Sequence, residues 1–156
     1  MGKPFATLLI GLGFLAFPAC GRKGPLELPP GRAPQAVEGL SASAREGAVV
    51  LAWTNPAKTV GGHPLGTLRD AEVWVFERDL PSAGAALEAG AVERSARLAG
   101  RVAVAAAAAA SYVFEVRPDG PSSLAFTVRV LDGRGRASAF SPPAIVTVAR
   151  DKGEGP

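Results

Sequence analysis

A chain with one cysteine and one histidine has few routes to covalent or metal chemistry. A tetrahedral metal centre draws on three or four thiolate, imidazole or carboxylate ligands, and a disulfide needs a second thiol. Ordinary zinc sites and a disulfide scaffold are therefore excluded by count. A nucleophile and its base would have to use His63, which sits in Gly61-Gly62-His63-Pro64 with no nucleophile motif beside it. We read it as a solvated loop residue. No pair of carboxylates is marked out by spacing, and Gly11-Leu12-Gly13 lies in an apolar run, where it cannot cradle a phosphate. The expectation is a protein without catalytic residues, cofactor or metal. The residues left to carry function are the thiol of Cys20, the guanidinium groups of Arg134 and Arg136 on a glycine-rich tip, and the indole of Trp74.

Each has an ordinary and a sharper reading. Asp132-Gly133-Arg134-Gly135-Arg136 has a different residue order from the Arg-Gly-Asp tripeptide of integrin ligands. Two arginines on such a tip suit an anionic partner, and a solvated turn is the plainer reading. Trp74 stands in opposite phase to Val73 and Val75. It is either a ring packed under a long connection or an exposed anchor for protein or sugar.

The position of Cys20 decides its reading. Met1 to Lys3 is weakly positive, and Phe5 to Phe17 is an apolar run of thirteen residues. A membrane-spanning helix needs roughly 20 apolar residues, whereas a signal-peptide core needs roughly 7–15. Small residues follow at Ala19-Cys20-Gly21. This start resembles bacterial lipoprotein precursors, whose lipobox ends in Ala or Gly and then Cys. Ala19 and Cys20 match it, and Phe17 and Pro18 differ from the preferred types. The resemblance implies cleavage between Ala19 and Cys20 and acylation of Cys20. Several acyl chains on one residue make a lasting anchor, since each buried methylene contributes about 0.8 kcal/mol. A plain secretory signal and an uncleaved anchor are the alternatives. Gly21 is not the Asp that retains many such lipoproteins in the inner membrane, so the resemblance implies the outer membrane, with the chain facing the periplasm.

Residues 21–36 carry Pro25, Pro29, Pro30 and Pro34 and are expected to form an extended linker. At about 3.1 Å per residue it would hold a domain up to roughly 50 Å from the bilayer. Arg22 and Lys23 would lie near anionic headgroups. Cys20-Gly21-Arg22-Lys23-Gly24-Pro25-Leu26, followed by Pro29-Pro30, resembles the mature start of small outer-membrane lipoproteins that assist assembly of the lipopolysaccharide translocon. That resemblance implies translocon components as partners, bound through Lys23, Gly24, Pro25 and Leu26. Similar starts also precede other lipoprotein domains, so a generic tether is the other reading.

The elements behind the tether read as strands. Gly and Pro number 19 and 14, a load of chain breakers that suits short strands and turns. The net charge is +3, or +2 once residues 1–19 are removed, and aromatics make up only 6%. Thinly spread arginines and few stacking rings argue against a nucleic-acid partner. Alternation places Val49, Leu51 and Trp53 on one face, and Tyr112, Phe114 and Val116 on another. From Leu124 to Leu131, Leu124, Phe126, Val128 and Val130 are expected inward, with Ala125, Thr127 and Arg129 outward. Val37 to Ala44, Ala71 to Arg78 and Ala144 to Ala149 are further strand candidates, and Asp132 to Gly135 signals a hairpin. Residues 80–110 read as a long connection, with room for a short helix within 84–101 and a strand around 99–104.

Six or seven strands with turn signals suggest a sandwich. Val50-Leu51-Ala52-Trp53-Thr54-Asn55-Pro56 and Phe126-Thr127-Val128-Arg129-Val130, followed by Gly135 and Ser141, resemble the fibronectin type III family. The resemblance implies an all-β, immunoglobulin-like Greek-key sandwich with Trp53 in its core. Phe126 stands where the family has a tyrosine, so the corner hydroxyl is missing. The expected organisation is a signal peptide over 1–19, lipidated Cys20 and linker over 20–36, the sandwich over 37–150 and a frayed tail over 151–156. Function is expected to be non-enzymatic: a lipid-anchored module binding an envelope protein, with translocon assembly through residues 20–30 or carbohydrate binding as alternatives.

Overall fold

The structure, a computed structural model, describes residues 30–149. A single 3-10 turn, Pro30–Arg32, leads into seven strands: β1 Glu38–Arg45, β2 Ala48–Thr54, β3 Leu68–Phe76, β4 Arg97–Ala103, β5 Ala109–Glu115, β6 Ser123–Asp132 and β7 Ala144–Thr147. One helix, α1 Ala89–Ser95, lies between β3 and β4. The strands pair antiparallel in two sheets, β1-β2-β5 and β4-β3-β6-β7.

The period-two pattern builds the space between the sheets. Val49, Leu51 and Trp53 from β2 meet Ala71, Val73 and Val75 from β3 and Phe126, Val128 and Val130 from β6 in one buried cluster. Trp53 is 3% exposed, so the sequence placed it correctly. Its indole N–H donates to Asn55 Oδ1 at 2.8 Å, and Asn55 Nδ2 donates to the carbonyl of Ala105 at 3.0 Å. The alanine-rich stretch thus has a structural role: its backbone accepts what the Trp-x-Asn corner donates.

Phe126 carries no hydroxyl, and it packs edge-on against Phe114 with centroids 5.2 Å apart. The phenol that ties strands together is Tyr112, whose hydroxyl donates across from β5 to the carbonyl of Ala99 in β4 at 2.9 Å. This bolt closes one open side of the sandwich. It also explains Gly100, where a Cβ would lie 2.5 Å from the Tyr112 hydroxyl and 2.8 Å from its ring.

The outer face of β6 departs from the sequence expectation. Ala125 and Thr127, expected outward to solvent, are fully buried. The cause is a second cluster outside the four-stranded sheet, where Phe76, Val92, Ala125 and Phe140 pack together with Trp74, Leu80 and Leu87. The connection from β3 to β4 folds back over the sheet and covers it. Within that connection the helix is shorter than the window 84–101 allowed: residues before 89 are irregular, and the window from Arg97 on becomes β4. Helix α1 has no side-chain N-cap bond at Glu88. Burial of Val92 against the sheet holds it in place, because so short a helix is unstable alone.

After the hairpin, residues 137–141 run along β6, with Ser138 N–H donating to Val130 O and Ser141 N–H to Val128 O. Pro142 and Pro143 lack the N–H groups that continued pairing requires. Strand β7 therefore starts only at Ala144.

Candidate functional site

Two surfaces carry residues singled out above, the covered face with Trp74 and the loop end with Arg134 and Arg136; a third, the outer face of the three-stranded sheet, carries none of them. Cys20, Ala19, Lys23, Gly24, Pro25 and Leu26 lie outside the described residues.

Trp74 sits half-buried on the covered face. Phe140 meets its ring edge-on at 6.0 Å, and the Arg129 guanidinium lies 5.6 Å from the ring centroid. The long connection thus half-buries a ring that alternation left exposed, and Phe140 and Arg129 occupy part of its surface.

Beside Trp74 lies a charge row that sequence reasoning missed. Strand register sets Arg101, Glu72 and Arg129 side by side across β4, β3 and β6. Glu72 is only 3% exposed, and accepts from Arg101 at 2.8 Å and Arg129 at 2.7 Å. Arg129 also reaches Glu93 of α1 at 3.0 Å, which latches the helix to the sheet. Burial pushes the Glu72 carboxyl up, but hydrogen bonds from Arg129 and Arg101 outweigh it and hold the group below its usual range. No linear motif announces this row, because Arg101 and Arg129 lie 29 and 57 positions from Glu72 and only the sheet register makes them neighbours. Its partners are all internal, so its chemistry is that of a clasp.

The loop end gathers the basic tip. Asp132 closes the β6 hairpin: its Oδ1 accepts the backbone N–H groups of Arg134 and Arg136 at 2.9 Å each, and Oδ2 accepts Arg136 Nε at 2.6 Å. Burial would raise the Asp132 carboxyl, and these donors together hold it below its usual range. Arg136 is thus committed to its own turn, whereas the side chain of Arg134 is exposed. Between this hairpin and the loop over 59–67 lies an open cleft of about 500 Å³, with Arg32, His63 and Arg134 on its walls. The sequence kept His63 and the Arg134 tip apart, and folding brings them to one cleft.

Residues 31–36, read from the sequence as linker, also belong to this end. Pro34 is buried and bridges to Thr59, Gln35 N–H donates to Lys58 O, and the N–H groups of Val60 and Gly61 donate to Ala33 O and Gly31 O. The chain therefore joins the sandwich at about residue 31, at the loop end.

The outer face of the three-stranded sheet is different in kind. Its cross-strand rows are Ser43-Val50-Val113 and Ser41-Ala52-Ser111 at the centre, with charge confined to the two end rows, Glu38-Thr54-Ala109 and Arg45-Ala48-Glu115. Val113 is 58% exposed. Among the described residues no group of His, Cys, Asp and Glu is placed to hold a metal ion.

No family model matches the sequence, and no curated protein matches it. Solved structures do. The third fibronectin III domain of the human KIAA0343 protein superposes with a TM-score of 0.51 at 12% identity, over 88% of this chain and 98% of that one. The fold is a fibronectin type III-like β-sandwich, as the two strand motifs implied. The Clostridium perfringens spore cortex lytic enzyme SleM aligns with a TM-score of 0.45 at 18% identity, over 74% of this chain and 28% of that one.

Proposed function

We propose that this chain is a lipid-anchored, non-catalytic interaction module of the bacterial cell envelope, held by Cys20 and presenting its three-stranded sheet to another protein. The observation that carries the interaction reading is the contrast between the two sheets. The four-stranded sheet covers most of its outer face with its own chain, leaving Ile145 of β7 at 44% exposure, while the other leaves the uncharged centre of its face bare, with Val113 at 58% exposure. A partner laid on that face desolvates few charges, and removal of apolar area from water contributes about 25 cal/mol per Å². The anchor reading is supported by the apolar run over 5–17 and the Ala19-Cys20 junction.

A photoreactive amino acid at position 113, placed in the full chain in cells, tests the interaction. A discrete crosslinked partner from 113 and none from position 93 on the covered side is the expected result. No crosslink from 113, or equal crosslinks from both, would refute it. The tether motif Cys20 to Leu26 favours a second reading, in which residues 20–30 contact the lipopolysaccharide translocon. Deleting 21–30 separates the two: loss of translocon components from the crosslinked set supports the second reading, and an unchanged set removes it.

A further inference from the structure

We propose that the loop end of the sandwich, where the chain joins it, is a docking surface for anionic phospholipid headgroups, so that the domain rests against the bilayer instead of standing off it. The proposal rests in part on the anchor at Cys20, because the anchor brings this end to the membrane.

The attachment point is fixed. Residues 31–36 are hydrogen-bonded to the 58–61 loop, so about ten residues separate Cys20 from this attachment, a reach of roughly 30 Å at most if extended. That spacer leads to the loop end and to no other. The connecting segments at this end carry Arg32, Lys58, His63, Arg134 and Arg136 against the single carboxylate of Asp132, which is paired with Arg136. At the adjoining strand ends Arg69 pairs with Asp70 at 2.7 Å, and Glu38 adds one carboxylate. Among the described residues, Arg32, Lys58 and Arg134 have no carboxylate within 4 Å.

The opposite end has the reverse balance. Its turns carry Glu46, Glu77, Asp79 and Asp119 against Arg78 and Arg117, and the adjoining strand ends add Glu115 against Arg45 and Arg97, of which Arg97 pairs with Glu77, so this end is slightly acidic. The sandwich is therefore polarised along its long direction, and a negative surface attracts the loop end and repels the other. An apolar tip completes the pattern. Val60 is 59% exposed on the loop among these cations, and its backbone is held by Ala33 O, so it stands ready at the surface without ordering cost. Cations around an exposed aliphatic tip suit the interface between headgroups and acyl chains. The open cleft between the two loops leaves room for a phosphate beside Arg32 and Arg134.

The test uses the full chain with Cys20→Ser, so that no acyl chain masks the surface, and measures co-sedimentation with vesicles of phosphatidylglycerol mixed into phosphatidylcholine, against pure phosphatidylcholine. Lys3, Arg22 and Lys23 are changed to Ala in every chain, so that the cations flanking the apolar run over 5–17 add no anionic preference of their own, and the reading is the excess on the anionic vesicles. We expect that excess to fall roughly fivefold for each of Arg32→Ala, Lys58→Ala and Arg134→Ala, and to fall with added salt. Arg32→Lys with Arg134→Lys should keep it, and Arg78→Ala with Arg117→Ala should leave it unchanged. No anionic excess overturns the proposal, as does an excess that survives the three alanine changes or falls equally with the distal pair. An acidic protein as the true occupant would show as no vesicle excess. The anchor is judged separately: a bare Cys20 thiol in cells removes the anchor while leaving this result standing, and an acylated Cys20 without anionic excess removes only this proposal.

Discussion

At the scale of single residues, one carboxylate holds more structure than its size suggests. Asp132 gathers two backbone N–H groups and a guanidinium, and its carboxyl is held below its usual range despite burial. A depressed folded-state value means that the contribution to stability is complete above the unfolded value and is lost as pH falls through the folded one. Asp132→Asn should therefore cost about 1–3 kcal/mol at neutral pH. Urea unfolding at descending pH should show the gap between parent and variant closing below about pH 4. Gly100 makes the opposite point, that an absent side chain is required. Gly100→Ala would press on the Tyr112 ring and its bond to Ala99 O, at a cost of about 1–3 kcal/mol in urea unfolding. Combined with Tyr112→Ala, the same change should cost measurably less than the sum of the two, because the clash partner is gone.

At the scale of elements, the connection over 77–96 is the part that the pattern of strands did not foreshadow. It has few backbone bonds of its own and is held by side chains: Val92 in the outer cluster and Glu93 on Arg129. Val92→Ala removes about two methylenes from a buried site, or about 1.6 kcal/mol. Limited proteolysis should then cut first within 77–96 while the two sheets keep their unfolding midpoint within a few degrees. The serines of the segment after the hairpin work differently. Ser138 and Ser141 hydroxyls accept the N–H groups of Val130 and Val128 at 3.0 and 3.1 Å, so side chains supply bonds along β6 where the approach to Pro142 and Pro143 spoils regular pairing.

At the scale of the whole molecule, the chain enters the first strand at one end of the sandwich and leaves its last strand at the other. Any anchor at Cys20 therefore holds the cationic loop end toward the membrane and points the acidic end away from it. The anchor predicts a simple outcome in cells. Inhibiting lipoprotein signal peptidase with globomycin should accumulate the unprocessed chain, and Cys20→Ser should move the protein from the membrane to the soluble fraction. Unchanged processing and unchanged fractionation would remove the anchor.

The amino-acid sequence by itself determined which residues line the space between the sheets: Val49-Leu51-Trp53 and Leu124-Phe126-Val128-Val130 announce their inner faces through alternation alone, and their Trp and Phe motifs pointed to the fold. It also settled Trp53 as core, and singled out Cys20 as the one thiol that an anchor could use. Only the tertiary structure decided the fate of Trp74, Ala125 and Thr127, because an outward residue is exposed or buried according to which distant segment folds over it. The same holds for Arg101, Glu72 and Arg129, which become neighbours through sheet register, and for Arg32, His63 and Arg134, which loops far apart in the chain bring to one cleft. Periodicity is a local property of the chain and is written in it directly. Which charges meet across a sheet or around a loop end depends on pairing and packing between segments, and no single stretch of sequence contains that information.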